Sequence, residues 1–430
     1  MQQETHSRLL GGGLTARAVL PDVVDGAGVF LELADGRRVI DASNTAAPLG
    51  HGNPEIAEAL RSAAGAPVVN EGLGWQERER AAEDLLGIAF AGEDWVGAVR
   101  FFLSASEAND VAMALCQALT GRPAFTTRER AYHGGAGLAR ELTVQPQWHG
   151  GLSSSAGILA PPRLADVHQL PAPTGARIGG EPESSVDALL TDAGRALAVS
   201  AAVILDYSQG GIYHSPEYQD QVALIARDLG TLWIADETVT GLGRVGGWFQ
   251  FQHGSARPDI VTMGKSLAGG GAAAAAVVLS REVLARLEGS SWQTYSTFRG
   301  HPASVAAIRA HLQIASRERL FERARELDGF MFASLSKVAA RHPSVASIDG
   351  RGLHWTVELR GPDWRSWRGE EAMPLAGRVA ARALEADVLL ATSGEQTSLF
   401  LAPPLIVSEA ELSQIVAALD EGLTIADREL

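Results

Sequence analysis

The feature of this sequence that most limits its fold is an alternation of short apolar segments with amphipathic, helix-like segments. Residues 201–205 form a continuous apolar run, which is typical of a strand buried on both faces of a parallel sheet. A helical pattern follows over about 216–229, and a second apolar strand follows over 231–235. This order predicts an α/β protein whose parallel or mixed sheet is covered by helices on both faces.

The remaining periodicities extend this prediction along the chain. The other predicted helices cover about 54–64, 76–90 and 106–119, and short strands are predicted over 29–33, 38–40, 277–279, 354–359 and 399–401. The helix over 106–119 has Ser106 as its expected N-cap and Gly121 just beyond its end, and Ser280 is expected to cap the helix after 277–279. Residues 150–185 are rich in Pro, Gly and Ser and are predicted to be a long loop.

A change in pattern near residue 303 indicates a second, smaller α+β domain, because long amphipathic helices dominate from there on. We expect an N-terminal segment over 1–50 that packs with this small domain, a large domain over 51–305, and the small domain over 306–430.

Composition excludes several classes of protein. The net charge of −15 argues against nucleic acid or an anionic membrane as the main partner. Cys116, the single cysteine, excludes an internal disulfide framework and any multi-cysteine metal site, and its apolar helical surroundings predict a buried thiol. No metal site is expected. Because neither a signal peptide nor an apolar stretch of about 20 residues is recognisable, we expect a cytoplasmic protein.

Lysine is rare in this sequence, so the position of each lysine is informative. Of the 36 Lys and Arg residues, only two are lysines. Lys265 lies in Val261-Thr-Met-Gly-Lys-Ser-Leu-Ala-Gly-Gly-Gly271, between an apolar run and a glycine tract. Lysine can lose its proton and form a Schiff base, which arginine cannot do, although a basic loop residue is the simpler interpretation. Lys337 lies in a helix-like stretch, where a solvated cation is expected.

A glycine motif admits two interpretations. Gly241-Leu-Gly-Arg-Val-Gly246 matches the dinucleotide-binding pattern, and Asp259 lies about 20 residues further on, where that fingerprint has an acid. The fingerprint also requires a helix that starts within the glycines. Here the chain continues with Gly247-Trp-Phe-Gln-Phe-Gln-His-Gly254 and Pro258, which is poor helix sequence, so a dinucleotide site is the less favoured interpretation.

The residues before these glycines indicate different chemistry. Asp236 and Glu237 stand at the carboxyl end of an apolar strand, where open α/β sheets place ligand-binding residues. Lys265 follows the next apolar segment. A carboxylate at one strand end and an isolated lysine at the next fit pyridoxal phosphate (PLP): the lysine holds the cofactor as an imine, and the aspartate pairs with the protonated ring nitrogen.

These motifs together resemble class III aminotransferases of PLP fold type I, a family that includes ω-amino acid transaminases and glutamate-1-semialdehyde aminomutase. The resemblance runs through nearly the whole chain. The motifs that carry it are Leu49-Gly-His51, Arg100-Phe-Phe-Leu-Ser-Ala-Ser-Glu-Ala-Asn109, Tyr132-His-Gly134, Gln209-Gly-Gly211, Trp233-Ile-Ala-Asp-Glu-Thr238, Pro258-Asp-Ile-Val-Thr-Met-Gly-Lys265, Thr297-Phe-Arg-Gly-His-Pro302 and Ala402-Pro-Pro-Leu405. It implies a mixed, mostly parallel, seven-stranded-type sheet flanked by helices.

The resemblance also implies roles for individual residues. Lys265 and Asp236 are the expected catalytic pair. The expected cofactor-binding residues are Ser104, Ala105, Ser106, Tyr132, His133, Asp206, Gln209, Thr238 and Thr297. The start of the helix at Ala105 suits a phosphate group, and Tyr132 would stack on the ring. Thr297 would reach the phosphate of a neighbouring subunit, which implies a homodimer with shared active sites.

Departures from the family pattern bear on the substrate. Phe400 stands where many members have an arginine that clamps the α-carboxylate. Arg17, Thr45 and Arg299 are then the other candidate substrate residues, with Arg17 as a replacement for the clamp. Asp206-Tyr207 replaces Glu-Pro, and Thr238 replaces valine or isoleucine.

Three functions remain open at this point. The first is a PLP-dependent aminotransferase acting on a small-molecule amino donor and a carbonyl acceptor. The second is another PLP reaction on the same scaffold, namely an aminomutase, racemase or decarboxylase. The third is a non-catalytic or nucleotide-binding protein.

Overall fold

The computed structural model describes residues 22–144, 152–154, 157–159, 162–172, 176–180, 185–207, 213, 215–361, 373–394 and 396–430. Its helices are α1 (Pro54–Ala63), α2 (Gln76–Asp84), α3 (Ala105–Thr120), α4 (Gly137–Glu141), α5 (Val186–Leu189), α6 (Ala193–Val199), α7 (Pro216–Asp228), α8 (Arg281–Ala285), α9 (Pro302–Arg317), α10 (Leu320–Arg341), α11 (Leu375–Glu385) and α12 (Glu409–Asp427). A π-helical turn covers Leu85–Ala89, and 3-10 helices cover Gln250–His253 and Lys265–Ala268.

The strands number eighteen among the described residues. They are β1 (Val23–Ala27), β2 (Phe30–Leu33), β3 (Arg38–Asp41), β4 (Val96–Phe102), β5 (Ala124–Arg128), β6 (Leu152–Ser154), β7 (Gly157–Leu159), β8 (Val167–Leu170), β9 (Ile178–Gly179), β10 (Ser200–Asp206), β11 (Leu232–Asp236), β12 (Ile260–Met263), β13 (Ala275–Ser280), β14 (Val345–Arg351), β15 (His354–Leu359), β16 (Val388–Leu389), β17 (Ala391–Thr392) and β18 (Ser398–Leu401).

A seven-stranded sheet organises the first part of the chain, in the order β4-β13-β12-β11-β10-β5-β8. Strands β8, β5, β10, β11 and β12 run parallel to one another, and β13 runs antiparallel to both of its neighbours. The predicted mixed, mostly parallel sheet is therefore confirmed. The parallel strands end at one edge, so side chains far apart in sequence meet there.

Strand β10 shows why the apolar runs form this sheet. Successive side chains of a strand point to opposite faces. Val203 and Leu205 pack into one hydrophobic cluster, whereas Ala202 and Ile204 pack into another. Both faces of the sheet are covered, which requires the continuous apolar sequence that β10 has.

The last part of the chain, from the end of α9 onward, builds a separate core with residues of the N-terminal part. A five-stranded sheet has the order β17-β18-β15-β14-β9, and a four-stranded sheet has the order β1-β2-β3-β16. A third hydrophobic cluster joins residues of these sheets with residues of α10, α11 and α12, among them Ile40, Leu335, Trp355 and Leu419. Because β16 pairs in parallel with β3, the N-terminal strands share a sheet with the C-terminal part of the chain.

Three local predictions were wrong. The predicted loop over 150–185 contains strands, since β8 joins the edge of the seven-stranded sheet and β9 pairs with β14. Such short strands are defined by partners remote in sequence, which local composition does not reveal. The predicted helix over 76–90 is α-helical only to Asp84 and continues as the π-helical turn. The N-cap of α3 is Ser104, not Ser106, because Ser104 Oγ accepts from the Glu107 N–H at 3.2 Å.

Other local predictions are confirmed. Cys116 is buried, and this burial raises the pKa of its thiol well above the ordinary value. Lys337 is exposed on α10. Gly121 ends α3 in the left-handed conformation, and Ser280 caps α8. Separately from these predictions, the described ranges contain no helix long and apolar enough to cross a membrane, and no group of three or more His, Cys, Asp or Glu residues suited to a metal ion.

Candidate active site

The candidate site lies at the edge of the seven-stranded sheet where its parallel strands end. Open α/β sheets bind their ligands at this edge. A cavity of about 360 Å³ opens there. Its wall includes the predicted site residues Ser104, Ala105, Ser106, Tyr132, His133, Asp206, Asp236, Thr238 and Lys265. The fold therefore brings together residues that are up to 161 positions apart in the sequence.

Asp236 is the last residue of β11 and is buried. Its Oδ2 accepts hydrogen bonds from Asn109 Nδ2 at 2.8 Å and from His133 Nδ1 at 2.9 Å. Its Oδ1 accepts from the Thr238 N–H at 3.1 Å and from the Thr238 hydroxyl. Burial acts to raise the pKa of this carboxyl, but the His133 ring and Thr238 outweigh it, so the pKa of Asp236 lies below its ordinary value. The cavity wall thus carries a stable anion.

The His133 ring is held between Asp236 and a second partner. His133 Nδ1 lies 2.9 Å from Asp236, and Nε2 lies 2.9 Å from the Thr127 hydroxyl. An ionised carboxylate only accepts, so Nδ1 carries the proton that is donated to Asp236. In the neutral ring, Nε2 then accepts from Thr127. This arrangement orients His133 towards the carboxylate, which makes it a positioning residue for Asp236.

Asp206 ends β10 directly beside Asp236, since the two residues are register partners in the parallel pair. Its closest partner is the buried Arg128, whose Nη2 lies 3.2 Å from Asp206 Oδ1 and whose Nε donates to the Asp206 carbonyl at 3.0 Å. The Tyr132 N–H donates to Oδ2 at 3.4 Å. Burial raises the pKa of Asp206, and Arg128 opposes this shift only in part. The two neighbouring carboxyls therefore shift in opposite directions.

Lys265 lies just after β12, across a one-residue turn at Gly264. Its side chain is exposed to the open cavity, yet protein groups crowd around the amine. This crowding lowers the pKa of Lys265, with Asp236 and Asp206 opposing the shift. A lowered pKa makes the neutral, nucleophilic amine more accessible near neutral pH.

The start of α3 forms another part of the wall, next to the Lys265 turn. A Cβ on Gly264 would lie 2.9 Å from the Cβ of Ala105, so only glycine allows the Lys265 turn to approach α3 this closely. Gly134 has a φ of 137°, and a Cβ there would lie 2.4 Å from Ser106 Oγ. Backbone N–H groups at a helix N-terminus, together with the helix dipole, favour a bound anion.

The remaining predicted residues lie elsewhere. The Thr45 carbonyl accepts a hydrogen bond from the Ser266 hydroxyl at 2.8 Å. Arg299 is buried, donates to Glu107 at 2.9 Å and lies 3.5 Å from Glu71. Thr297 is exposed. None of these three lines the cavity that holds Lys265.

Phe400 is also absent from the wall of this cavity; its ring packs 5.6 Å from the His354 ring on the neighbouring strand. Gln209 and Arg17 lie outside the described residues.

The glycine motif Gly241–Gly246 forms a turn with no helix starting within it, since the next helical element is the 3-10 helix at Gln250–His253. The dinucleotide interpretation therefore lacks the helix N-terminus that it requires.

Comparison with known proteins identifies the family. A sequence model described as aminotransferase class-III matches residues 15–423. The chain belongs to the class-III aminotransferase family. The diaminobutyrate–2-oxoglutarate aminotransferase of Rhizobium meliloti (strain 1021) is 31% identical over 415 residues, which cover 91% of this chain and 85% of that protein.

Solved structures agree with this class-III aminotransferase assignment. An S-selective transaminase from Arthrobacter sp. superposes with a TM-score of 0.88 at 29% identity, covering 95% of this chain and 94% of that chain. A phospholyase from Arthrobacter in complex with phosphoethanolamine superposes with a TM-score of 0.80 at 26% identity, covering 94% of each chain. The predicted family, PLP fold type I and PLP-dependent amino-group transfer are confirmed.

Two residues of the candidate site were not predicted from the sequence. Asn109 is a buried polar residue on a helix face that otherwise buries Ala108 and Ala112, and that mismatch was its signal. Arg128 is a charged residue at the carboxyl end of the buried strand β5, the same edge as Asp206 and Asp236. A charge at that position was a signal for Arg128, but its partner could not be read from the sequence.

Proposed function

We propose that this class-III aminotransferase binds pyridoxal phosphate in the cavity that contains Lys265 and Asp236. The observation that carries the proposal is a buried carboxylate of lowered pKa in the same cavity as a lysine of lowered pKa. The cofactor, when bound, supplies an electron sink that its protonated ring nitrogen maintains. Asp236 suits that nitrogen, the start of α3 suits the phosphate group, and Tyr132 offers a ring for stacking.

We further propose that Lys265 is both the point of covalent attachment and the group that moves the proton at the substrate carbon. A neutral amine is needed for both tasks, and crowding by protein groups favours it. The amino group would come from a small-molecule amine or amino acid and pass to a carbonyl acceptor. Gln209, although outside the described residues, is proposed near the phenolic oxygen of the cofactor.

The attachment is tested by replacing each lysine. Lys265→Ala and Lys265→Arg should both abolish turnover, because a neutral amine rather than a charge is required. Lys337→Ala is the matched control and should retain wild-type activity. After borohydride reduction, mass spectrometry should find the cofactor on Lys265. Substantial activity in either Lys265 variant, or cofactor on Lys337, would contradict the assignment.

A second function on the same scaffold is kept because of one observation: a phospholyase superposes on 94% of this chain. Aminomutase, racemase, decarboxylase and lyase reactions can all begin from the same cofactor-bound substrate. Only transamination leaves a stable pyridoxamine form after a donor alone. Loss of the cofactor's visible absorbance on adding donor without acceptor, with its return on adding acceptor, supports transamination, and no change would favour the alternatives.

We propose the substrate class from Phe400, which stands where many family members have an arginine that binds the α-carboxylate. Phe400 has no group that can bind a carboxylate, so amines or compounds with a distal amino group should be preferred donors. Arg17 and Arg299 are the proposed anionic-group partners, although Arg299 is already engaged with Glu107 and Glu71. Phe400→Arg should improve the use of α-keto acid acceptors, and Arg17→Ala should raise KM for an acidic substrate. A wild-type enzyme that prefers 2-oxoglutarate, with Arg17→Ala and Arg299→Ala both silent, would contradict this.

A homodimer with shared active sites is proposed on the exposed surface around Thr297. Tyr295 and Phe298 are large and exposed, and Asn70 Nδ2 donates to the Tyr295 hydroxyl at 3.0 Å. This bond connects them to a second loop, which exposes Leu73. Contiguous exposed apolar residues mark interaction surfaces. Sedimentation should give twice the chain mass, and Phe298→Glu should shift the measured mass towards that of a single chain.

The domain division and the location are also proposals. Separate hydrophobic clusters, one with α10, α11 and α12 and two against the seven-stranded sheet, support an N-terminal segment over 1–50, a large domain over 51–305 and a small domain over 306–430. We propose a cytoplasmic enzyme that has neither nucleic acid nor membrane as partner, in keeping with the net charge of −15.

A further inference from the structure

A second cavity, of about 650 Å³, lies apart from the Lys265 site and shares none of its wall residues. Four parts of the chain form its wall: the segment before β9, the glycine-rich turn after β11 with the 3-10 helix that follows, the first turns of α10, and the turn between β14 and β15. Its wall residues include Arg177, Trp248, Phe321, Arg325, Asp328 and Arg351. The amino-transfer site assigns no role to any of them.

Two of the charged groups on this wall neutralise each other. Arg177 Nη1 and Nη2 donate to the two carboxylate oxygens of Asp328 at 2.9 and 3.0 Å. The Arg177 guanidinium also lies 4.7 Å from the centre of the Trp355 ring. Asp328 accepts in addition from the Gly352 N–H at 2.8 Å. This pair is a structural contact between α10 and the neighbouring turn, and it leaves no charge for a ligand.

Arg325 and Arg351 form no ion pair with any residue that the structure describes. Arg325 Nε donates to the Gly246 carbonyl at 2.9 Å, and the guanidinium lies 5.5 Å from the centre of the Phe321 ring. Neither of its terminal nitrogens has a hydrogen-bond partner within the described ranges. Arg351 is half-buried and has no hydrogen bond or ion pair with any described residue. Burial lowers the pKa of Arg351, and Tyr213, Asp328 and Asp349 oppose this shift only through space. A half-buried guanidinium without a partner is unfavourable unless an anion approaches it.

The glycine motif explains how Arg325 comes to face the cavity. Gly246 has a φ of 77°, and a Cβ there would lie 3.1 Å from the Cα of Arg325. Only glycine therefore lets the turn lie directly against α10. Beside it, the Trp248 and Phe321 rings are 5.4 Å apart and add an apolar surface to the wall.

We propose that this cavity binds a small organic dianion of the phosphate-monoester class, with its phosphate between Arg325 and Arg351 and its apolar group against Trp248 and Phe321. Two guanidiniums match a dianion in charge, and each can donate two parallel hydrogen bonds to its oxygens. Because the wall includes elements of the seven-stranded-sheet side and of the five-stranded-sheet side, the ligand would bridge the two and stabilise the folded protein. This site goes beyond the proposed amino transfer and does not depend on it.

The test is calorimetric titration of the PLP-saturated enzyme with phenyl phosphate and, separately, with inorganic phosphate. The visible absorbance of the cofactor is followed to confirm that PLP is not displaced. Arg351→Gln and Arg325→Gln should each weaken phenyl phosphate binding about tenfold or more, because each removes charge-assisted hydrogen bonds. Arg195→Gln, at an exposed position of α6, is the matched control and should bind like the wild type.

Inorganic phosphate should bind more weakly than phenyl phosphate, since it has nothing to place against the two rings. Wild-type binding of phenyl phosphate weaker than about 1 mM would overturn the proposal, as would equal affinities in the wild type and both cavity variants. Equal affinities for the two probes would overturn the role of the aromatic wall. Arg351→Lys keeps the charge with minimal change to the fold and should retain more affinity than Arg351→Gln, which separates ligand contact from misfolding.

Discussion

Asp206 and Asp236 occupy equivalent places in the fold and behave in opposite ways. Each is the last residue of a buried parallel strand, and the two are register partners. Both are buried. Yet the pKa of Asp206 is raised by burial, whereas the pKa of Asp236 is lowered because its hydrogen-bond donors outweigh burial.

The two carboxylates have opposite pKa shifts because they accept different numbers of hydrogen bonds. Asp236 receives hydrogen bonds from Asn109, His133 and twice from Thr238. Asp206 has an ion pair with Arg128 and one long contact from the Tyr132 N–H, and the charge of the neighbouring Asp236 acts to raise its pKa. A place at the strand end therefore makes a carboxylate available to a ligand, but its hydrogen-bond donors decide whether it stays ionised.

The largest effect should come from removing the two carboxylates in turn. Asp236→Asn removes the anion proposed for the cofactor's ring nitrogen, so kcat should fall about a thousandfold while the cofactor remains bound. Asp206→Asn, the matched change one strand away, should lower kcat about tenfold or less. Steady-state kinetics and the visible absorbance of the bound cofactor measure both. Equal losses of kcat in the two variants would show that the position at the strand end, and not the hydrogen-bond donors around each carboxylate, decides its role in catalysis.

The next effect concerns stability. Arg128→Met leaves Asp206 buried without its cation and should lower the free energy of unfolding by about 3 kcal/mol. The loss should shrink as the pH falls through the raised pKa of Asp206, because the neutral acid no longer needs Arg128. Urea unfolding at two pH values measures this. In the double variant with Asp206→Leu much of the stability should return; a loss that persists there would mean that Arg128 acts through other contacts.

A smaller effect is expected from the groups that hold Asp236. His133→Leu removes one donor, so kcat should fall about tenfold and the pKa of Asp236 should rise. His133→Gln keeps a donor and should recover part of the rate. The pH dependence of the cofactor's absorbance distinguishes the two, because its acid limb should move to higher pH in His133→Leu only. Identical pH profiles in both variants would show that the ring serves only for packing.

The smallest effect should come from Glu237, which neighbours Asp236 in the chain. Burial raises the pKa of Glu237 to about 7. The folded protein therefore holds a proton that the unfolded chain releases near its ordinary pKa of 4.5, so this group's contribution to stability falls as the pH rises from 4.5 to 7. Glu237→Gln mimics the protonated form, and its Tm relative to the wild type should rise by a few degrees between pH 5 and pH 8. A Tm difference that does not vary with pH would contradict the raised pKa.

The elements that the sequence predicted well are those encoded by contiguous residues. The apolar run at 201–205 forms β10, because a strand buried on both faces needs continuous apolar residues. The helical pattern at 216–229 forms α7, because a helix buried on one face repeats its apolar residues with the helical period. The strands β8 and β9 were missed since their pairing partners lie elsewhere in the chain. The cap of α3 was misplaced by two residues, because both Ser104 and Ser106 have the side chain of a cap.

The sequence by itself determined the family and led to the proposal of Lys265 and Asp236 as the catalytic pair, because the motifs around them are short and local. Of the donors that keep Asp236 ionised, Thr238 is local, but Asn109 and His133 are 127 and 103 residues away, and only the tertiary structure brings them to the carboxylate. The same is true of Arg128, which is 78 residues from Asp206. Likewise, the cavity with Arg325 and Arg351 exists only because separate segments pack against one glycine turn. A pKa depends on distances in space, and a linear sequence does not contain them.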